Sequence, residues 1–118
     1  MTNDATASCI FCKIVKGQIP SKIAFTDESC LAFHDINPQA PVHLLIIPRK
    51  HFSSPLDADA SDEPLIGHLH RVAAELARKL EITDGFRIVV NAGPGAGQTV
   101  FHLHLHLLGG RPMHWPPG

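Results

Sequence analysis

Three histidines alternate with apolar residues near the C-terminal end of the chain, in the run Phe101–Leu107. Successive side chains of a β-strand point to opposite faces of its sheet. As a strand, the run would place His102, His104 and His106 on one face. The other face would carry Phe101, Leu103, Leu105 and Leu107. The apolar face must pack against another element, so the fold needs a second layer on that side of the sheet. The histidine face would then be directed towards solvent or a cleft.

The rest of the chain supplies elements for an α+β fold. Apolar residues at helical spacing predict one long helix over Glu63–Leu80, with Asp62 as its cap, and a short N-terminal helix over Ile10–Lys16. Short connections between many strands favour a mainly antiparallel sheet, here five-stranded. Strands are predicted at Ile23–Thr26, Cys30–His34, Val42–Ile47, Phe86–Asn91 and Thr99–Leu108.

Length and composition narrow the class of protein. The 118 residues suffice for one hydrophobic core, so we expect a flexible segment over residues 1–8 and a single domain over 9–118. A formal net charge of -1 excludes the basic excess typical of proteins that coat nucleic acid. With neither a run of about 18 apolar residues nor a signal-peptide pattern, we expect no membrane association and a cytoplasmic location.

Two kinds of chemistry fit a row of imidazoles. Alternate residues of a strand lie roughly 6.6 Å apart, so two neighbours can share a zinc ion at about 2 Å, but all three hardly can. An extended phosphate ester can meet several imidazoles at once, and neutral imidazole is a good nucleophile near pH 7. The glycine-rich loop Asn91–Thr99, immediately before the row, permits close approach of backbone to phosphate and supports the second interpretation.

Several segments together resemble one family. The run from His102 to Leu108 resembles the histidine-triad (HIT) signature His-φ-His-φ-His-φ-φ, where φ is apolar. The ending Arg111–Gly118 resembles that of the Hint branch, and the similarity extends through Ile19-Pro20, Leu31–His43 and Asn91–Thr99. The resemblance implies a HIT-like fold whose sheet continues across a homodimer.

The resemblance also implies a reaction. His104 would attack the α-phosphorus of a purine nucleoside phosphoramidate and become nucleotidylated, and His106 would contact the phosphate. His102 and His43 would form a relay that orients the imidazoles. Water would then release AMP or GMP after the amine has left, with no cofactor required for catalysis. The activity would be that of an adenosine 5′-monophosphoramidase-like hydrolase.

The resemblance places the nucleotide in a defined set of residues. Asp35 would bind the ribose hydroxyls, although a carboxylate there can also cap a turn. Gln98 and Thr99, next to Gly97, would bind phosphate oxygens or the leaving group, and Trp115 would lie near the partner subunit's site. Asn91 would lie beside the nucleotide, and the base pocket would consist of Phe11, Ile14, Ile19, Phe33 and Ile36.

The cysteines leave two alternatives open. In some HIT proteins such a pair holds a structural zinc with two histidines, which here correspond to Cys9, Cys12, His51 and His102. The other interpretation is a pair of half-buried thiols. We expect Cys30 in the core, and His68 and His70 at solvated positions on the long helix.

Three hypotheses follow from these features. The first is the phosphoramidase or nucleotidyl hydrolase described above. The second is a nucleotide-binding scaffold protein whose hydrolysis is incidental. The third is a zinc hydrolase that uses the histidine row directly.

Overall fold

The computed structural model describes residues 4–118, so Met1 to Asn3 of the segment predicted to be flexible lie outside the described residues. The rest of that segment, Asp4–Ser8, is helical, where the sequence predicted no regular structure. The helices are α1 (Asp4–Ser8), α2 (Ile10–Val15) and α3 (Glu63–Lys79). The strands are β1 (Ile23–Thr26), β2 (Cys30–His34), β3 (Val42–Pro48), β4 (Phe86–Val89) and β5 (Leu105–Gly109).

Within the described residues the strands form one antiparallel sheet in the order β1-β2-β3-β5-β4. β3 is central, and its Leu44 pairs with His34 of β2 on one side and with Leu107 of β5 on the other. The predicted α+β fold, with its five-stranded sheet, one long helix and a short helix at Ile10, is confirmed. No helix within residues 4–118 is long and apolar enough to cross a membrane.

Both faces of the sheet are covered, and β3 contributes alternate residues to the two layers. Leu44 and Ile46 belong to the core under α3, whereas Leu45 and Ile47 pack with α2. α3 fits its side because Leu69, Val72, Ala73 and Leu76 recur at helical spacing and are all buried. In β5, Leu105 and Leu107 face α3, so His106 between them faces the α2 side. The catalytic candidates therefore lie on the face that the short helix covers.

The last strand is shorter than predicted, because residues 99–104 are irregular and β5 begins at Leu105. Its ladder with β3 ends at the pair Ile46 and Leu105, and continuing this register would place Leu103 opposite Pro48. Proline has no backbone N–H to donate, so the ladder cannot continue there. Leu103 donates its N–H to the carbonyl of Phe52 instead, at 2.7 Å. Phe101, expected on the apolar face, is 49% exposed.

Two side chains on or beside α3 differ from the prediction. Asp62 stands at the N-cap position but makes no capping hydrogen bond to α3. Its carboxylate accepts from the N–H of Asp59 and from Nζ of Lys50, because it closes the preceding 3₁₀ turn. His68, expected to be solvated, is half-buried and lies 2.6 Å from the Asp27 carboxylate. His70 is exposed and Cys30 is fully buried, both as predicted.

The remaining boundaries agree with the predictions to within two residues. β1 and β2 have the predicted bounds, β3 includes Pro48, and β4 ends at Val89 rather than Asn91. α2 ends one residue early, at Val15, and Gly17 follows with a φ of 72°. Glycine adopts this left-handed conformation without a steric penalty, which explains why the helix stops there.

Candidate active site

A cavity of about 600 Å³ opens on the α2 face of the sheet, beside His104 and His106. Its apolar wall contains the side chains predicted to form a base pocket: Phe11, Ile14, Ile19, Phe33 and Ile36. Its polar wall includes Asp35 and Thr99 together with the two histidines. A cavity with one apolar end and one end of hydrogen-bonding groups suits a ligand that is itself part aromatic and part anionic.

The cavity wall also includes residues that the sequence did not indicate. Lys22 follows the turn before β1, and Val100 lies in the irregular segment, whose position depends on tertiary contacts. Neither belongs to a motif, so no sequence signal identified them. The full additional set is Ile10, Pro20, Ser21, Lys22, His34, Leu45 and Val100.

His104 is held in the tautomer that leaves a lone pair on Nε2. Its Nδ1 lies 2.7 Å from the carbonyl oxygen of His102, and a carbonyl only accepts, so Nδ1 must carry the proton. The side chain is buried against Phe11, with the ring centroids 5.1 Å apart. Burial lowers the pKa of His104, so the ring is neutral near pH 7. A neutral imidazole with a free Nε2 is the nucleophilic form.

A chain of hydrogen bonds fixes the opposite tautomer in His106. The N–H of Gln39 donates to Nδ1 of His43, at 3.0 Å, so the proton of neutral His43 is on Nε2. That nitrogen lies 2.9 Å from Nδ1 of His106, which accepts. The proton of His106 is therefore on Nε2, a buried atom with no hydrogen-bond partner among the described residues. Burial, together with His104 and His43, lowers the pKa of His106 to about 4.

The two imidazoles beside the cavity thus have complementary roles. His104 presents a lone pair and His106 presents an N–H donor. Leaving a buried donor unpaired costs about 1–3 kcal/mol, and a ligand oxygen can supply the missing acceptor. His104 can therefore attack an electrophilic centre, and His106 can donate a hydrogen bond to an oxygen or leaving group beside it.

Asp35 has the turn-capping role considered for it, and its ribose-binding role stays a prediction. One carboxylate oxygen accepts from the N–H of Asn37, at 2.8 Å, and closes a turn. The other lies 3.3 Å from Nε2 of His43. Since Asp35 also lines the cavity, its carboxylate is available to a ligand hydroxyl.

Gln98, expected to bind phosphate, does not line the cavity, and its contact with a ligand stays a prediction. Its buried amide accepts from the N–H of Gly93 and donates to the carbonyls of Ser53 and Val100. All of these contacts hold the glycine-rich loop in shape. Gly97 ends a 3₁₀ turn at a φ of 89°, which favours glycine. Thr99, the neighbour of Gln98, does line the cavity.

The other expected nucleotide contacts lie outside this cavity. Asn91 is half-buried in the loop after β4, and Trp115 is 85% exposed in the C-terminal tail. Neither is part of the cavity wall. The expected role of Trp115 concerns a second subunit and stays a prediction.

His102 lies on the α2 side of the sheet, as the alternation predicts, but it is not on the cavity wall with the other two histidines. Its side chain is 0% exposed, and Nε2 donates to the carbonyl of Pro48 at 2.8 Å. The ring contacts His51 and Phe11 rather than His43. The imidazole relay of this structure therefore runs from His43 to His106. Leu103 stays in the core under α3, so the alternation of faces continues through the irregular residues before β5.

Cys9, Cys12, His51 and His102 bring four potential metal ligands together within 4.8 Å. His102 offers the lone pair of Nδ1, because its Nε2 carries the proton. That Nδ1 lies 3.2 Å from Nδ1 of His51, 3.4 Å from Sγ of Cys9 and 3.5 Å from Sγ of Cys12. Nitrogen ligands of tetrahedral zinc at about 2.0–2.1 Å are roughly 3.3 Å apart, so the donor set and its spacing fit zinc.

A hydrolase with one zinc bound by all three triad histidines does not fit this geometry. His102 lies in the cysteine cluster, whereas His104 and His106 line the cavity. In a second group of potential ligands, Asp35, His43 and His106, the hydrogen bond between Nε2 of His43 and Nδ1 of His106 already occupies one nitrogen of each imidazole, and the Asp35 carboxylate lies 3.3 Å from Nε2 of His43.

Comparison with known proteins agrees with this site. The profile of the HIT domain matches residues 16–113. An uncharacterised HIT-like protein of Synechocystis sp. is 55% identical over 109 residues, which are 92% of this chain and 96% of that protein. The crystal structure of a HIT family hydrolase from Legionella pneumophila has a TM-score of 0.92 and 49% identity, covering 94% of this chain and 100% of that one.

Two further solved structures have names that bear on ligands. A zinc-bound histidine triad family protein from Mycobacterium smegmatis has a TM-score of 0.78 and 36% identity, covering 90% of this chain and 77% of that one. A histidine triad nucleotide-binding protein from Candida albicans has a TM-score of 0.80 and 32% identity, covering 92% of this chain and 83% of that one. With the domain profile spanning most of the sequence, the chain belongs to the HIT domain family.

Proposed function

We propose that this protein is a purine nucleoside phosphoramidase of the Hint branch, which releases AMP or GMP and an amine. One observation carries the proposal: His104, with its Nε2 lone pair free, and His106, with its proton on Nε2, line the same half-apolar cavity. The Legionella and Candida relatives support hydrolysis and nucleotide binding respectively, by their names.

The reaction would proceed in two displacements. Nε2 of His104 attacks the α-phosphorus and the phosphorus–nitrogen bond to the amine breaks. His106 would take up a proton from solvent beside the bound anionic phosphate, give one proton to the leaving amine and so return to its neutral form. Water then attacks the phosphorus, the bond to His104 breaks, the nucleotide is released and the proton lost by the water returns to solvent. The base would lie against Phe11 and Phe33, and Asp35 would accept hydrogen bonds from the ribose hydroxyls.

Intact-protein mass spectrometry during turnover tests this mechanism. With an adenosine 5′-phosphoramidate, protein quenched in alkaline denaturant should carry one adenylyl group, located on His104. His104→Ala should form no adduct and lose at least about 10³-fold in kcat, the scale of removing a nucleophile. His70→Ala, at an exposed histidine of α3, is the matched control and should behave like the wild type.

The same experiment separates the competing hypotheses. Binding of AMP without any adduct or turnover by the wild type would favour the scaffold. Turnover that forms no adduct and is lost completely on strong chelation would favour a zinc hydrolase. An adduct that still forms on His104 in metal-free protein would contradict that hypothesis.

We also propose that zinc binds Cys9, Cys12, His51 and His102 as a structural ion. The 3.2–3.5 Å separations of their ligand atoms support this, as does the name of the zinc-bound Mycobacterium smegmatis relative. Burial and the neighbouring Cys9 raise the pKa of the Cys12 thiol to about 11, so zinc binding would have to displace its proton. A cytoplasmic location would keep these thiols reduced.

We further propose a homodimer whose sheet continues through β4. This strand is at an edge of the sheet and exposes part of Phe86. Unpaired edge strands are templates for pairing with another chain. Light scattering should give twice the 12.8 kDa mass of one chain. Arg87→Pro, within β4, removes a backbone donor from the edge strand and should reduce the measured mass to that of one chain.

A further inference from the structure

His102 belongs to two sites at once, one through its side chain and one through its backbone. Its Nδ1 faces Cys9, Cys12 and His51 in the cluster that fits zinc. Its carbonyl oxygen accepts the Nδ1 proton of His104, at 2.7 Å, and thereby sets the tautomer and orientation of that imidazole. Only Leu103 lies between the potential metal ligand and the candidate nucleophile.

The backbone between these groups is not paired with another strand. His102 and His104 precede β5, so no ladder hydrogen bond to β3 fixes them. Leu103 is the anchor of this stretch, because its N–H bonds to the Phe52 carbonyl and its side chain is buried in the core under α3. The His102 carbonyl lies directly before that anchor, and its other restraint is the position of the His102 ring.

We propose that His102 is a positioning residue through which zinc in the four-residue cluster orients His104. Without the ion, the His102 ring keeps its bond to the Pro48 carbonyl and its packing against Phe11, but the neighbouring thiols and His51 are free to separate. A displacement of about 1 Å in a catalytic group can cost about 10²-fold in rate. Because the Leu103 anchor remains, we expect a smaller loss, about tenfold in kcat, with KM changed by less than about twofold.

This inference rests on the proposed function only for its kinetic part. Its other measurement is the nitrogen NMR spectrum of the His104 ring at a fixed neutral pH, recorded on full-length protein with zinc and after chelation. With zinc, Nδ1 should be the protonated nitrogen. In metal-free protein the His104 signals should shift towards a mixture of the two tautomers, and the amide of Leu103 should exchange faster while β2 and β3 stay protected.

Matched variants separate a local effect from general destabilisation. Cys12→Ser removes one ligand and should reproduce the metal-free spectrum and the lower kcat even with zinc present. Cys12→His keeps a zinc ligand at that position and should restore both. Cys30→Ala removes a buried cysteine outside the cluster and should leave the His104 spectrum and the kcat of the folded protein unchanged.

Three results would overturn the proposal. Metal-free protein could keep the His104 tautomer and the full kcat, which would make the ion irrelevant to the nucleophile. All sheet amides could lose protection together, in which case the ion holds the fold and not His104 in particular. The His104 spectrum could also respond equally to Cys30→Ala. If no form of the protein turns over the phosphoramidate, the proposed function fails, whereas the spectrum still tests the positioning role.

Discussion

At the scale of residues, backbone groups decide the chemistry of the histidines. The carbonyl of His102 forces the proton of His104 onto Nδ1, and the N–H of Gln39 leads through His43 to a proton on Nε2 of His106. Neither ring depends on a carboxylate for its tautomer. The row therefore presents one lone pair and one donor at neutral pH without a permanent charge.

The His43 relay gives a prediction about rate. His43→Ala removes the donor to His106 Nδ1, so His106 is free to adopt the other tautomer, and we expect kcat to fall about 10- to 100-fold. His43→Gln can place an amide N–H near the position of Nε2 and should recover part of the loss. Steady-state kinetics with a phosphoramidate would measure both, and equal rates for the Ala and Gln variants would contradict the relay.

At the scale of elements, the alternation within β3 and β5 assigns layers. Leu44, Ile46, Leu105 and Leu107 meet α3, whereas His43 and His106 share the opposite side with α2 and the cavity. The helix on one face is thus structural, and the face with the short helix carries the site. Substitutions in the core under α3 should change the free energy of unfolding more than they change kcat.

Two glycines allow this to be tested with the same substitution. Gly67→Ala, in α3 with nothing within 4 Å of the added Cβ, should raise the free energy of unfolding by about 0.5–1 kcal/mol. Gly109→Ala, in β5, would bring Cβ within 2.5 Å of Ile82 Cδ1 and 3.0 Å of Ile82 Cβ, and should lower it by about 1–3 kcal/mol. Denaturant unfolding measures both, and a stabilising Gly109→Ala would contradict the packing described.

At the scale of the whole molecule, burying neutral histidines links folding to pH. Burial lowers the pKa of His43. Burial and the neighbouring His104 and His43 lower the pKa of His106 to about 4. Below the unfolded pKa of about 6.5, the unfolded chain binds protons that the folded chain does not, so folding becomes less favourable. This loss of folding stability should be complete once the pH falls below the pKa of the histidine in the folded protein.

The expected outcome is a free energy of unfolding that falls between pH 6.5 and pH 4. His106 alone would contribute roughly 2 kcal/mol of this fall. Urea unfolding of His106→Gln across the same range should show a shallower dependence than the wild type. An identical slope for the two proteins would mean that His106 titrates alike in both states.

The sequence by itself determined most of the elements and the identity of the reactive groups. β1 and β2 have the predicted bounds, the apolar spacing located α3, and the residues expected in a base pocket all line the cavity. These features depend on local periodicity or on the family signature, and both can be read without knowing which elements pack together.

Only the tertiary structure decided what each member of the triad meets on the face that the three histidines share. Alternation places them on the α2 side, because Leu103, Leu105 and Leu107 all lie in the core under α3. Along that face, Cys9 and Cys12 lie against His102, whereas the cavity opens beside His104 and His106. Which group meets each histidine depends on how distant segments pack, and periodicity along a single segment carries no information about such a partner.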